Sequence, residues 1–142
     1  MLLSEVGGHK VVSTSTAQTV GHIAGLVIDP RRGRVVAITL KRAGRANTVP
    51  WDDITAFGAD AVTVPDETVA VEPSDTIREL NGTARRLPGK RLLSASGKEL
   101  GALDDVAFDP TSGELTALLA TGGELPADRL VDAGSYAVIV SG

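Results

Sequence analysis

Cysteine is absent from the 142 residues, and aromatics make up only 3% of them: one Trp, one Tyr and two Phe. The first absence excludes a disulfide framework and a thiolate metal site. The second leaves Val, Leu, Ile and Ala to fill any core, and leaves too few rings for base stacking across a sheet. Histidine is nearly missing too. His9 and His22 stand alone, without Ser, Cys or Asp at a spacing that suggests a triad, and are expected on the surface. No apolar run approaches the roughly 20 residues that span a bilayer. The stretch from Met1 to Lys10 has neither the charged start nor the long apolar segment of a secretory signal. A cytoplasmic protein is the expectation. Gly7-Gly8 and Gly122-Gly123 lack the strand and helix context of a phosphate-binding loop, so nucleotide binding finds no support.

What is present is a duplication. Val20–Leu40 contains Gly21, Asp29-Pro30, Gly33 and Ala37, and Leu100–Ala120 repeats them as Gly101, Asp109-Pro110, Gly113 and Ala117. Each stretch reads as two strands joined by an Asp-Pro-x-x-Gly turn. Proline pre-sets φ, the Asp side chain bonds the amides beyond it, and glycine takes the positive φ that closes the loop. Strand alternation places Ala24, Leu26 and Ile28 on one face of the first arm, with Val36, Ile38 and Leu40 matching them on the second.

The repeat continues on both sides. His9–Thr14 has the β-branched content of a strand, after a single helical turn at Leu2–Val6 and the Gly7-Gly8 break. Thr48-Val-Pro-Trp-Asp-Asp-Ile54 returns as Glu124-Leu-Pro-Ala-Asp-Arg-Leu130, a strand meeting proline and then a short helical turn. Ala61–Val64 returns as Ala137–Val140. The predicted organisation is a first unit at 1–72, a docked linker at 73–88 and a second unit at 89–142. Within the linker, Ser74 is placed to cap a brief helix through Ile77 and Leu80 that stops at Asn81-Gly82, and Arg85-Arg86 leads into the second unit. Thr68–Glu72 is expected to extend the first sheet. Units this small fold alone only marginally and gain stability by packing on each other or on a second chain.

Charge is unevenly spread over the net −4. Residues 1–65 hold seven Lys/Arg against five Asp/Glu, whereas residues 90–142 hold four against eight. Such asymmetry between duplicated halves suggests that they face different surroundings.

The ordered motifs resemble the PRC-barrel family: glycine before the first strand, Gly-x-(Ile/Leu) opening the hairpin, Asp at its turn, Val49-Pro50-Trp51 and the closing Ala-Val-x-Val, in two copies at 8–64 and 89–140. The resemblance implies an all-β fold of two tandem small antiparallel barrels with short helical turns. It also implies a non-catalytic role, since relatives such as the cytoplasmic part of the photosynthetic reaction-centre H subunit and the C-terminal half of the ribosome maturation factor RimM use the module for docking. The expected function is a protein–protein adaptor without cofactor or metal. Its expected partner is another protein, membrane-associated or of the division machinery, or a second copy of the chain. Ribosome or RNA association, by analogy with RimM, ranks behind, and a small-ligand site between the barrels ranks last.

Several residues are candidates for partner binding. Lys41, Arg42 and Arg45, together with Arg31, Arg32 and Arg34, are expected to gather at one end of the first barrel if connection and hairpin tip lie close, where they would suit an anionic partner. Trp51, which becomes Ala127 in the second unit, is either a core plug or an interface hot spot. Leu115, Leu119 and Ile139 make the second unit's outer face more apolar than the first unit's Val35, Thr39 and Thr63, so that face is expected to be covered by the first unit or by a second chain. Asp104, Asp105 and Asp109 are the densest carboxylates. Alternation puts Asp105 and Asp109 on one face and Asp104 on the other, so they do not converge on a cation.

Overall fold

The computed structural model describes residues 1–42, 44–81 and 87–142; Gly82, Arg85 and Arg86, singled out above as the helix stop and the lead into the second unit, lie outside them. A single helical turn, α1 (Leu3–Val6), precedes six strands: β1 (Lys10–Ser13), β2 (Thr19–Asp29), β3 (Arg34–Leu40), β4 (Thr48–Pro50), β5 (Ala56–Phe57) and β6 (Ala61–Val64). They form one sheet in the order β4-β3-β2-β1-β6-β5. The 3-10 turn Trp51–Asp53 joins its two edge strands, so the sheet curls on itself into a barrel. After α2 (Asp75–Leu80) the second unit repeats the plan with β7 (Arg91–Ser94), β8 (Glu99–Phe108), β9 (Leu115–Ala120), β10 (Gly123–Pro126), β11 (Leu130–Ala133) and β12 (Val138–Val140), in the order β10-β9-β8-β7-β12-β11.

Among the described residues all strand pairings are antiparallel except one seam in each unit, where the first strand runs parallel to the last full one: β1 with β6 and β7 with β12. The short strands β5 and β11 carry no periodic signal of their own, and pattern reading passes over them. Ser13 and Ser94 are buried on the inner side of the seam strands, each with its hydroxyl 2.8–3.0 Å from that of the serine two residues on, Ser15 or Ser96. A Ser-x-Ser pair repeated at matching places is the sequence signal for this buried polar contact.

The turns follow their chemistry. Asp29 Oδ1 accepts from the amides of Arg31 and Arg32 at 3.1 and 3.3 Å, and Gly33 closes the loop at φ 64°. Asp109 does the same for Thr111 at 2.8 Å, with Gly113 at φ 81°. Ser74 Oγ accepts from Ile77 N at 3.2 Å and starts α2, as an N-cap serine does.

Bulges overturn the simple alternation along β2. The register slips between Ile23 and Gly25 and again between Val27 and Ile28, and each slip swaps the faces beyond it. Ile23 is therefore fully buried while Ala24 is exposed, so the expected set Ala24, Leu26 and Ile28 is not a single face. The same two slips occur in β8. There they turn Asp105 toward α1, where it accepts from the Ser4 amide at 3.3 Å and from the Ser4 hydroxyl. Asp104 stays exposed.

Residues beyond β6 return over the first sheet. Val71 exchanges backbone hydrogen bonds with Thr48 at 3.0 and 2.8 Å, which covers the free edge of β4. The path is set by the 3-10 turn Glu67–Val69, capped by Asp66, whose carboxylate accepts from both the hydroxyl and the amide of Thr68. These bonds hold the Asp66 carboxyl below its ordinary range, the hydroxyl contributing most. A depressed carboxylate pKa stabilises the fold above the unfolded value, and that contribution disappears as pH falls through the folded one. A carbon-detected NMR titration should therefore place the Asp66 midpoint below that of an ordinary aspartate. Thr68→Ala should raise it; an unmoved midpoint would show that the hydroxyl does not set it.

Candidate interaction surfaces

The two units meet tip to tip. Val35 N donates to Gly113 O at 2.8 Å, and Leu115 N donates to Gly33 O at 2.9 Å. Under the duplication Gly33 corresponds to Gly113 and Val35 to Leu115, so the two bonds exchange, as they would about an approximate two-fold axis. Arg34 and Glu114 form the antiparallel bridge between them. Near this junction Met1 exchanges backbone bonds with Phe108 at 3.1 and 2.8 Å, and α1 packs on β8. One hydrophobic cluster consequently runs through both units.

The two flanks of the axis differ. On one, Trp51 stacks on Phe57 at a centroid distance of 5.6 Å, and both meet Phe108 edge-on, at 6.5 and 5.5 Å. Trp51 also covers Gly113, where a Cβ would stand only 2.8 Å from the indole. On the other flank the equivalents of Trp51 and Phe57 are Ala127 and Ala133, and Ile28 stands in the place of Phe108. Polar contact replaces the rings there. Asp132 accepts from Arg31 Nε at 2.9 Å, which holds the Arg31 guanidinium still more firmly protonated. At 75% exposure for the Arg31 side chain, this pair fixes geometry more than it adds stability.

The candidate residues fall apart accordingly. Trp51 is half-buried in the junction between the units. The six basic residues do not form one cluster. Arg31, Arg32 and Arg34 stand at the start of β3, with Arg34 Nη2 donating to Ser112 O at 3.0 Å, whereas Lys41, Arg42 and Arg45 follow its far end, all exposed. Seven strand residues between them amount to about 20 Å. Leu115 is 8% exposed, and Val35, assigned from sequence to the more polar outer face, is fully buried, because the paired tips cover both. Leu119, between Asp105 and Glu124, and Ile139, between Leu93 and Asp132, are half-buried on the sheet.

Of the histidines, His22 is exposed, but His9 is half-buried with an enclosed Nδ1 that has no hydrogen-bond partner among the described residues. Among the described residues no three His, Asp or Glu side chains gather in a way that could hold a metal ion, and no helix is long and apolar enough to cross a membrane. Among the described residues the large exposed apolar side chains are Val71 at 39% in the first unit, and Val131 at 46% and Tyr136 at 67% in the second, the last under the Arg91 guanidinium at 5.0 Å. Neither of the latter two carries a pattern signal: Val131 lies on the edge strand β11, and Tyr136 lies in the turn between β11 and β12.

Comparison with curated proteins finds no match. The family model of the PRC-barrel domain matches residues 1–70, the stretch that holds β1–β6 and reaches the segment returning over β4. The second unit, which that match does not reach, repeats the same six-strand order. The first unit of the chain belongs to the PRC-barrel family, and the second unit repeats its six-strand architecture.

Proposed function

We propose that the protein is a non-catalytic adaptor whose two interlocked barrels present different surfaces to another protein. The family to which the first unit belongs is generally non-catalytic. The observation that carries the reading is the junction. Hairpin tips, Trp51 and Phe108 are consumed in fixing the units to each other, and this holds two chemically unlike surfaces at a set spacing. The first unit contributes the exposed cations Lys41, Arg42 and Arg45; the second contributes an acidic surface with Val131 and Tyr136 exposed. A rigid scaffold with surface diversity is what docking needs.

The test is recovery of partners on the tagged chain at low and moderate salt, followed by reconstitution from purified components. A binary protein complex that re-forms at moderate salt is the expected result. Recovery abolished by nuclease, or steeply lost with salt and dependent on Arg42 and Arg45, would replace the adaptor reading with an RNA-associated one. Recovery of the bait alone would remove it.

A further inference from the structure

The first unit shows what a covered strand edge looks like in this fold, and in the second the described residues leave the same edge bare. In both, the fourth strand pairs with the third in matching register: Ile38 opposite Val49, and Leu118 opposite Leu125. The backbone of Thr48 therefore points away from the sheet, and Val71 satisfies it at 3.0 and 2.8 Å. The returning segment also brings Val69 and Ala70 against the core. The result is a Thr48 that is 2% exposed beside a fully buried Val49.

Glu124 occupies the position of Thr48. Its N–H and C=O point outward in the same way, yet among the described residues no strand pairs with that side of β10. Glu124 is exposed and Leu125 only half-buried. A cavity of about 240 Å³, lined by Leu92, Leu100, Ala120, Leu125 and Arg129 among others, opens beside the strand, and the Arg129 guanidinium is engaged there in donating to Ser141 O at 2.6 and 3.2 Å. Unpaired strand edges of this kind accept an added strand, with main-chain bonds giving affinity and side pockets giving selectivity.

We propose that β10 is a docking edge for an extended, basic segment of another protein, which adds to the second unit as a further strand. This rests on the adaptor reading and names its site and the chemistry of its partner. Register sets the pattern of that segment. The residue opposite Glu124 faces outward beside a carboxylate, so Lys or Arg is favoured there, while its two neighbours face inward over Leu125 and the cavity and are aliphatic. The acidic excess of residues 90–142, eight Asp/Glu against four Lys/Arg, favours the same sign. It also argues against a second copy of the chain, since two β10 edges paired about a two-fold axis would bring Glu124 close to Glu124.

The probe is the acetylated peptide Thr-Lys-Val-Lys-Val-Lys-Thr, titrated into the full chain and followed by amide NMR. The expected result is shifts and slowed exchange centred on Glu124 and Leu125, and weaker binding as salt rises. Glu124→Pro removes the outward donor and should weaken binding by roughly tenfold or more, a loss on the scale of one main-chain hydrogen bond. Glu124→Lys keeps the backbone intact and should shift preference to the Glu-substituted peptide, so a poorly folded proline variant would not decide the outcome. Shifts centred elsewhere, equal binding of the Glu and Lys peptides to the unsubstituted chain, or self-association through β10 would overturn the proposal. A purified protein partner that binds both Glu124 variants as tightly as the unsubstituted chain would overturn it too, while leaving the adaptor reading in place. Absence of any protein partner is the failure of that reading instead.

Discussion

Gly113→Ala is expected to destabilise the protein by about 2–5 kcal/mol and to open the junction between its halves. Two costs add. Alanine at φ 81° carries a left-handed strain of about 1–2 kcal/mol. The new methyl would also stand 2.8 Å from Trp51 Cε2 and 3.1 Å from two neighbouring ring atoms, an overpacking that costs about 1–3 kcal/mol. The indole has little freedom to yield, because Phe57 stacks on it and Phe108 meets its edge. Gly33→Ala supplies the matched control. Its φ is 64°, but among the described residues nothing stands within 4 Å of the added methyl, so only the strain of about 1–2 kcal/mol is expected. Trp51 is the one tryptophan in the chain, and its fluorescence reports the junction directly. Urea titrations should show the larger loss for Gly113→Ala, with red-shifted emission before unfolding. Equal losses for the two variants would mean that the ring does not rest on Gly113.

Phe108→Ala should cost about 3–5 kcal/mol, the range for emptying a buried aromatic site, and should affect both units together. Phe108 is 1% exposed, belongs to the second unit, and packs on Trp51 and Phe57 of the first. A chain of this length has a total stability of the order of 10 kcal/mol, so the loss is a large part of it. If the shared cluster couples the units, fluorescence at Trp51 and far-ultraviolet circular dichroism will trace one coincident transition, at lower urea than in the unsubstituted chain. A variant whose dichroism falls in two steps, with Trp51 following only one, would show that the units fold separately. A loss below 1 kcal/mol would show that the cluster is not shared.

The local chemistry of the chain was legible residue by residue. Asp29-Pro30 with Gly33, and Asp109-Pro110 with Gly113, announce their turns because each side chain acts on its own backbone within four residues. Ser74 announces α2 for the same reason, and Pro50 and Pro126 mark where the fourth strands give way to 3-10 turns. The bulges in β2 and β8 were not legible. They depend on how long strands bend around a core, and they moved Ile23 inward and Ala24 outward against the alternating pattern. Neither β5 nor β11 was legible: β5 has only two residues, and β11 follows the 3-10 turn Ala127–Arg129 with no break to mark its start.

The site was less readable than the fold, for a physical reason. Trp51 reads from the sequence as either plug or hot spot, and the choice depends on Gly113, far along the chain, coming to rest beneath its ring. Arg31 and Arg42 look like neighbours in a basic run, and the length of β3 separates them. Glu124 and Thr48 are equivalent in pattern, but only the return of Val71 over one of them makes their edges differ. By itself the sequence determined the duplicated strand order, the turns and the family, because hydrophobic alternation and turn chemistry act between near neighbours. The tertiary structure alone decided how the halves interlock, which apolar residues that junction covers and which strand edge stays bare, because those outcomes are set by contacts between residues distant in the chain.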